Sequence, residues 1–223
     1  MIFLPVAFPL LLLLFLLLIG LFLFFVEIRV LSYAYRKIGV RPRYVFLVMI
    51  LTLIGSQVNI PLYSVPVTRL VPPHSVSVYG REYLVPSTIH PGASVVAINV
   101  GGALIPILVS IYLIIRTGMV VRMAIATAIV AVIVHRLAEI VPGVGIAVPM
   151  IVPPLAAAAV ALLLAFRRAP PVAYVAGSMG ALIGADILNL GKIHQLGAPM
   201  VSIGGAGTFD GVFLTGIIAG LIA

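Results

Sequence analysis

The chain has 223 residues, of which 63% are hydrophobic and 8% are charged, and its formal net charge is +8. A soluble domain is usually about a quarter charged, so this composition excludes an ordinary soluble protein and indicates one polytopic membrane domain over residues 1–223. Cysteine is absent, which also excludes disulfides, thiolate metal sites and cysteine nucleophiles.

The apolar runs predict an all-α membrane protein, a bundle of about seven transmembrane helices. The first run has no basic segment before it and is too long for a signal peptide, so we interpret it as a membrane helix. The predicted spans cover about 3–26, 43–60, 93–115, 119–140, 145–166, 171–190 and 200–223.

The basic residues predict the orientation. Nine of the thirteen fall in the connections between spans one and two, three and four, and five and six: Arg29, Arg36, Lys37, Arg41, Arg43, Arg116, Arg122, Arg167 and Arg168. The positive-inside rule places these connections in the cytoplasm, so we expect a multi-pass protein of the cell membrane with its N-terminus outside and its C-terminus inside. Their position at span ends predicts membrane lipids as partners and argues against nucleic acid.

The longest connection, about 61–92, is then extracytoplasmic. Alternating residues on both sides of Gly80, from Ser75 to Val85, predict a small β-hairpin there. Two roles remain open for it, a structural cap on the helix ends or an edge strand that receives an extended substrate.

Two aspartates lie in segments that are otherwise apolar enough for membrane spans. An ionisable group in hydrocarbon costs roughly 2.5–3.5 kcal/mol on insertion scales, so both need a reason. Asp186 lies near the end of span six, and Asp210 lies near the start of span seven if the glycines at 204–207 break the helix. The two acids then face each other at similar depth, whereas a span seven that begins near Pro199 places Asp210 deeper and weakens the pairing.

Two carboxyl groups that meet share one proton, and such a pair can activate a water molecule while protonating a carbonyl oxygen. Gly205, Gly207 and Gly211 leave room for a substrate backbone, and Thr208 and Asn189 are candidate hydrogen-bond partners. No cofactor is expected. The residues alone leave three functions open: catalysis, proton- or cation-coupled transport through the same acids, and structural hydrogen bonding.

At these residues the chain resembles the GxGD-type intramembrane aspartyl proteases, the presenilin and signal peptide peptidase group. The segment Gly205-Ala206-Gly207-Thr208-Phe209-Asp210 is similar to the GxGD motif with two residues inserted, and Asp186 falls in span six like the family's first aspartate. The resemblance implies an aspartyl endopeptidase with Asp186 and Asp210 as the catalytic pair and transmembrane peptides as substrates.

The chain departs from that family at several places. Ala185 stands where the family has tyrosine, and the later spans that carry a Pro-Ala-Leu motif have no counterpart after predicted span seven. A proline–leucine element, Val152-Pro153-Pro154-Leu155, occurs earlier in the chain. As a whole the chain also resembles a small, mostly archaeal membrane family of unknown function, through residues 55–62 and 204–213.

Two further groups are candidate sites. Asn99, near the outer end of span three, either faces the aspartates or forms interhelical hydrogen bonds, and we interpret Asn59 as an interhelical partner. His135, Arg136 and Glu139 have a spacing that places them on one helix face, which favours an ion pair. A metal site would need His135, Glu139 and His194 to converge with no recognised spacing, so we predict none.

Overall fold

The computed structural model describes residues 7–71, 74–78, 81–85, 88–141, 145–195, 198–205 and 211–223. The α-helices in these ranges are α1 (Ala7–Lys37), α2 (Pro42–Gly55), α3 (Ile105–Thr117), α4 (Val120–Leu137), α5 (Val152–Ala165), α6 (Ala169–Ala181) and α7 (Gly211–Ile222). Two π-helical turns, Val100–Leu104 and Leu182–Asp186, precede α3 and follow α6, and a 3₁₀ segment, Ile187–Gln195, continues from the second turn.

Four helical stretches of the described chain are long and apolar enough to cross a membrane: Leu12–Lys37, Val100–Thr117, Val120–Leu137 and Val152–Ile193. The last stretch contains α5 and α6, which pack against each other across a three-residue connection and are therefore antiparallel neighbours. Two shorter apolar helices, α2 and α7, accompany them. These helices indicate an integral membrane protein.

Helix α6 is the centre of the bundle, because it packs against α3, α4, α5 and α7. Every residue from Val172 to Ser178 is buried. The surfaces that meet are rich in alanine and glycine, and small residues let membrane helices approach closely. In contrast, most side chains of α1 whose burial is described are exposed, and its two buried residues among them, Ala34 and Tyr35, lie near its C-terminal end.

The helix ends that carry the nine basic residues of the predicted cytoplasmic connections converge at one end of the bundle, which we call the basic end. Lys37 Nζ donates to the carbonyl oxygen of Leu221 over 2.6 Å, and Arg116 donates to the carbonyl oxygen of Gly39. Gly220 packs against Ile38 and near the carbonyl oxygen of Pro170. The C-terminal ends of α1, α3 and α7 therefore meet the N-terminal ends of α2 and α6.

A β-sheet stands beside the helices at the opposite end of α6. Its strands are β1 (Asn59–Val71), β4 (Thr88–Asn99) and β7 (Met200–Ile203) in the order β1-β4-β7, with β1 and β4 antiparallel and β4 and β7 parallel. Two further pairs are antiparallel hairpins: β2 (His74–Val78) with β3 (Arg81–Val85), and β5 (Glu139–Val141) with β6 (Gly145–Ala147).

The predicted hairpin is confirmed, since Val78 pairs with Arg81 and His74 pairs with Val85. The sequence did not predict the two long strands around it, β1 and β4, which pair along their lengths and carry the hairpin at their far ends. Regular strand pairing satisfies the backbone polar groups of this long connection, which an irregular loop would have left to water.

Six predicted spans include described residues that are not α-helical. The run 43–60 ends its helix at Gly55, and the run 93–115 begins as strand β4. The run 119–140 ends in strand β5, the run 145–166 begins as strand β6, and the run 200–223 begins as strand β7. In these five cases a largely apolar strand adjoins an apolar helix in sequence, and hydropathy alone does not separate the two. The run 171–190 ends in a π-helical turn and a 3₁₀ segment.

Candidate functional site

The π-helical turn Leu182–Asp186 positions the first aspartate at the end of α6. At Gly184 this turn crosses α4 so closely that a Cβ atom there would lie 2.5 Å from the carbonyl oxygen of Ala131. His135 Nδ1 lies 3.3 Å from the carbonyl oxygen of Gly184. π-Helical turns interrupt the regular backbone ladder and are frequent at functional sites, so this local structure is consistent with a site at Asp186.

Asn189, a predicted site residue, stabilises the same turn. Its side chain is buried, and Nδ2 donates to the carbonyl oxygens of Gly184 and Ala185 over 3.2 and 2.9 Å. Lys192 Nζ donates to Asn189 Oδ1 over 3.1 Å. Asn189 therefore supports the backbone that carries Asp186, because it gives two of its carbonyl groups a buried side-chain donor.

The carboxyl group of Asp186 is held by the backbone at the end of β7. Gly204 N donates to Asp186 Oδ2 over 2.7 Å. Gly204 has a φ of +71°, and a Cβ atom there would lie 2.7 Å from the Cβ of Ala103, so both backbone conformation and space require glycine. This bond joins two segments that come together only in the folded chain.

Asp186 also lines a cavity of about 630 Å³, which we call the Asp186 cavity. Its walls come from α4, β6, α5, α6, β7 and α7, and most of the lining side chains are small or apolar. Among them are Gly145, Ala147, Pro153, Ala181, Ala185, Ala198, Met200, Ser202, Gly204, Gly205, Gly211, Val212 and Thr215. Within the described residues, Asp186 is the one lining residue that is ionisable.

The predicted site residues Gly205 and Gly211 both line this cavity. Helix α7 is described from Gly211 onwards. The alternative in which span seven begins near Pro199 is wrong, because Met200–Ile203 is a strand. The predicted site residues Asp210, Gly207 and Thr208 lie outside the described residues, so the meeting of the two aspartates stays a prediction.

The packing of α6 against α7 fixes the depth at which α7 begins. A Cβ atom at Gly177 would lie 3.0 Å from the carbonyl oxygen of Thr215, so these two residues are level in the antiparallel pair. Counting along both helices places Gly211 level with Ala181, and both line the cavity. Asp186 follows Ala181 by five residues, about 7.5 Å farther along the axis at 1.5 Å per residue.

Asn99 is buried, and it caps the π-helical turn Val100–Leu104. Its Oδ1 accepts from Gly102 N over 2.7 Å, and its Nδ2 donates to Ser56 O over 2.9 Å and to Asn59 Oδ1 over 3.1 Å. Asn59 and Asn99 are cross-strand partners in β1 and β4, so the prediction of an interhelical role for Asn59 is wrong. Asn99 is not among the residues that line the Asp186 cavity.

The helical ion pair predicted from His135, Arg136 and Glu139 is wrong. Helix α4 ends at Leu137, and Glu139 begins strand β5, so the three residues do not share a helix face. No group of three or more metal-ligating side chains occurs among the residues that the structure describes.

Two features of the site were not predicted. Gly204 supplies the amide that binds Asp186, and Ser202 of β7 donates to Asn59 Oδ1 over 2.5 Å, which ties β7 to β1 across the sheet. The sequence signal for this strand is weak, since Met200-Val201-Ser202-Ile203 is only four residues long and its apolar content also suits a membrane helix.

Comparison with protein families gives one match, a family described as a protein of unknown function (DUF1614), over residues 53–222. The chain belongs to the DUF1614 family. The matched region begins in the last turn of α2 and includes the sheet, both π-helical turns and the residues of the Asp186 cavity. No curated protein and no solved structure matches the chain.

Proposed function

We propose that this DUF1614 protein is an intramembrane aspartyl protease-like hydrolase in which Asp186 and Asp210 form the catalytic pair. The observation that carries the proposal is the cavity shared by Asp186 and Gly211, the residue that follows Asp210 in the chain. A membrane-embedded acid needs a compensating role, and a cavity with room for a substrate provides one.

The edge of the sheet supports a peptide as the substrate. Among the described strands, β7 pairs only with β4, and β7 residues Met200, Val201 and Ser202 line the cavity beside Asp186. An unpaired strand edge binds extended peptides through main-chain hydrogen bonds. This matters for hydrolysis in a membrane, because a peptide bond in a helix is shielded by its own hydrogen bonds and an extended one is exposed.

The chemistry needs one ionised and one protonated carboxyl group. The bond from Gly204 N holds the carboxyl group of Asp186 in position for its role as the base. In the proposed reaction Asp186 takes a proton from water as the water oxygen attacks the scissile carbonyl carbon, and Asp210 gives its proton to the carbonyl oxygen. The gem-diol then collapses: Asp186 gives its proton to the leaving nitrogen as the C–N bond breaks, and Asp210 takes a proton back from a gem-diol hydroxyl group, which becomes the carbonyl of the new carboxylic acid.

The depth of Asp186 along the bundle supports its proposed role as a catalytic residue. Asp186 follows Ala169, at the basic end, by seventeen residues, or about 25 Å along a helix, close to the ~30 Å thickness of the hydrocarbon core. If the basic end is cytoplasmic, as the positive-inside rule predicts, Asp186 lies near the extracytoplasmic interface, where water is available. The seven-span topology with an outer N-terminus and an inner C-terminus belongs to this proposal.

The resemblance to GxGD-type proteases adds modest support. Pro153, of the proline–leucine element, lines the Asp186 cavity although it lies before the aspartates in the chain. Ala185, which stands where that family has tyrosine, lines the cavity too. An origin within a mostly archaeal family is part of the same resemblance and stays a prediction.

The test is cleavage of single-span substrates by the purified protein in liposomes, with Asp186→Asn and Asp210→Asn as the active-site variants. Glu27→Gln is the matched control, because Glu27 is an exposed acid of α1 remote from the cavity. We expect cleavage by the wild type and by Glu27→Gln, and none by either aspartate variant. Cleavage that persists in both aspartate variants rules out the dyad.

The competing function is proton- or cation-coupled transport through the same acids. It predicts ion flux into liposomes that depends on Asp186 and Asp210, with no proteolysis of the substrates. Both assays use the same variants and the same liposomes, so their outcomes separate a hydrolase from a transporter.

A further inference from the structure

Two arginines and two tyrosines form a cluster at the basic end of the bundle, remote from the Asp186 cavity. Arg43 Cζ lies 4.6 Å from the ring centroid of Tyr44, and Arg116 Cζ lies 5.8 Å from that of Tyr112. The two tyrosine rings meet edge to face, with centroids 6.5 Å apart and planes at 81°. These four residues, the guanidinium cluster, join the first turn of α2 to the last turns of α3.

The positive charge of the cluster is not neutralised by the described parts of the protein. Arg116 donates to Gly39 O and over 3.0 Å to the hydroxyl group of Tyr112, both through Nη1, and a guanidinium group has five N–H donors in all. Arg43 makes no hydrogen bond and no ion pair within the described residues. Both side chains are exposed, and the tyrosine rings hold them in position by cation–π contact.

Exposed apolar side chains adjoin the cluster along the same two helices. Phe46 and Leu47 follow it in α2 with 66% and 54% of their surfaces exposed, and Ile115 and Ile111 accompany it in α3 with 77% and 47% exposed. A small soluble anion would use only the guanidinium groups. A phospholipid would contact both the guanidinium groups and the apolar surface, because its phosphate faces the arginines and its acyl chains cover the apolar side chains.

We propose that the guanidinium cluster is a binding site for the phosphate of an anionic phospholipid. Arg43 and Arg116 donate hydrogen bonds to the phosphate oxygens, since planar guanidinium groups match phosphate geometry. The site is independent of the proposed hydrolase activity, as it lies at the other end of the bundle.

The test is native mass spectrometry of the full chain in detergent, titrated with phosphatidylglycerol or with phosphatidylcholine of the same acyl chains. We expect Arg43→Gln to raise the phosphatidylglycerol concentration at half occupancy about five-fold, and Arg43→Gln/Arg116→Gln to raise it about 25-fold. The matched control is Arg167→Gln/Arg168→Gln, which removes two charges from the same end of the bundle outside the cluster, and there we expect less than about a two-fold change. Phosphatidylcholine occupancy should be the same in all four proteins.

Three results would overturn the proposal. An equal loss in the Arg167/Arg168 variant would show that binding depends on diffuse charge. Unchanged binding in Arg43→Gln would show that the guanidinium cluster is not the binding site. This variant is informative on its own, because Arg43 makes no hydrogen bond within the described residues that its loss could disturb. Displacement of phosphatidylglycerol by millimolar inorganic phosphate would show that the ligand is a free anion and that the apolar surface takes no part.

Discussion

Replacing Gly184 by alanine tests how tightly the π-helical turn that carries Asp186 is packed. The added Cβ would lie 2.5 Å from the carbonyl oxygen of Ala131, 2.8 Å from the Cβ of Val134 and 3.1 Å from the amide nitrogen of His135. Ordinary contact begins near 3.4 Å, so α4 and the turn must separate by roughly 0.9 Å. The closest atom belongs to the backbone of α4, so no side-chain rotation relieves it.

A separation of this size weakens the contacts of the whole crossing, because a gap of 0.5–1 Å loses a quarter to a half of the dispersion energy of each atom pair. Overpacking of a protein interior costs about 1–3 kcal/mol, and alanine regains about 0.5–1 kcal/mol over glycine in a helix. The expected net result for Gly184→Ala is a free energy of unfolding lowered by about 1–2 kcal/mol.

The matched control is Gly20→Ala in α1, where nothing lies within 4 Å of the added Cβ. We expect this variant to be as stable as the wild type or up to about 1 kcal/mol more stable, from helix propensity alone. The assay is reversible unfolding by SDS titration in mixed micelles, followed by circular dichroism. Equal stability of Gly184→Ala and Gly20→Ala would refute the crossing as described.

Two further predictions concern the proposed aspartate pair and the cap of the π-helical turn Val100–Leu104. In the cysteine-free chain, Asp186→Cys/Asp210→Cys should react with a short fluorogenic bis-maleimide that joins two thiols, whereas each single variant should give no crosslinked product. Absence of crosslinking in the folded double variant would contradict the pairing of the aspartates. Asn99→Ala leaves the buried Gly102 N–H without its acceptor and should lower the free energy of unfolding by about 1–3 kcal/mol. Asn59→Ala keeps that bond and should cost less, and the same SDS titration compares the two.

The sequence predicts the existence of the helices well, because long apolar runs have few alternative structures in a chain with so little charge. It predicts the strand elements poorly. The hairpin around Gly80 is recognisable from alternating polar and apolar residues. Strands β4 and β7 are not, since Val95–Ile98 and Met200–Ile203 are largely apolar and read as parts of the apolar runs that follow them.

The sequence likewise predicted some residues of the candidate site and missed the partners that hold them. Asp186 is conspicuous in sequence because a carboxyl group is rare in an apolar run, and the structure places it in a cavity. Its partner Gly204 was not predictable as a donor, because the bond comes from a backbone amide and depends on a left-handed turn after β7. Asn99 was identified as a candidate but its partners depend on strand register, which one-dimensional periodicity does not specify.

The parallel pairing of β4 with β7 sets an order of events during synthesis. Val95 pairs with Met200, about a hundred positions later in the chain, and Gly204 reaches Asp186 through the same strand. Pairings at such separation form late, because the loop between them must close first. The proposed site is therefore assembled only after nearly all the membrane segments have been synthesised, and a partly synthesised chain does not yet contain it.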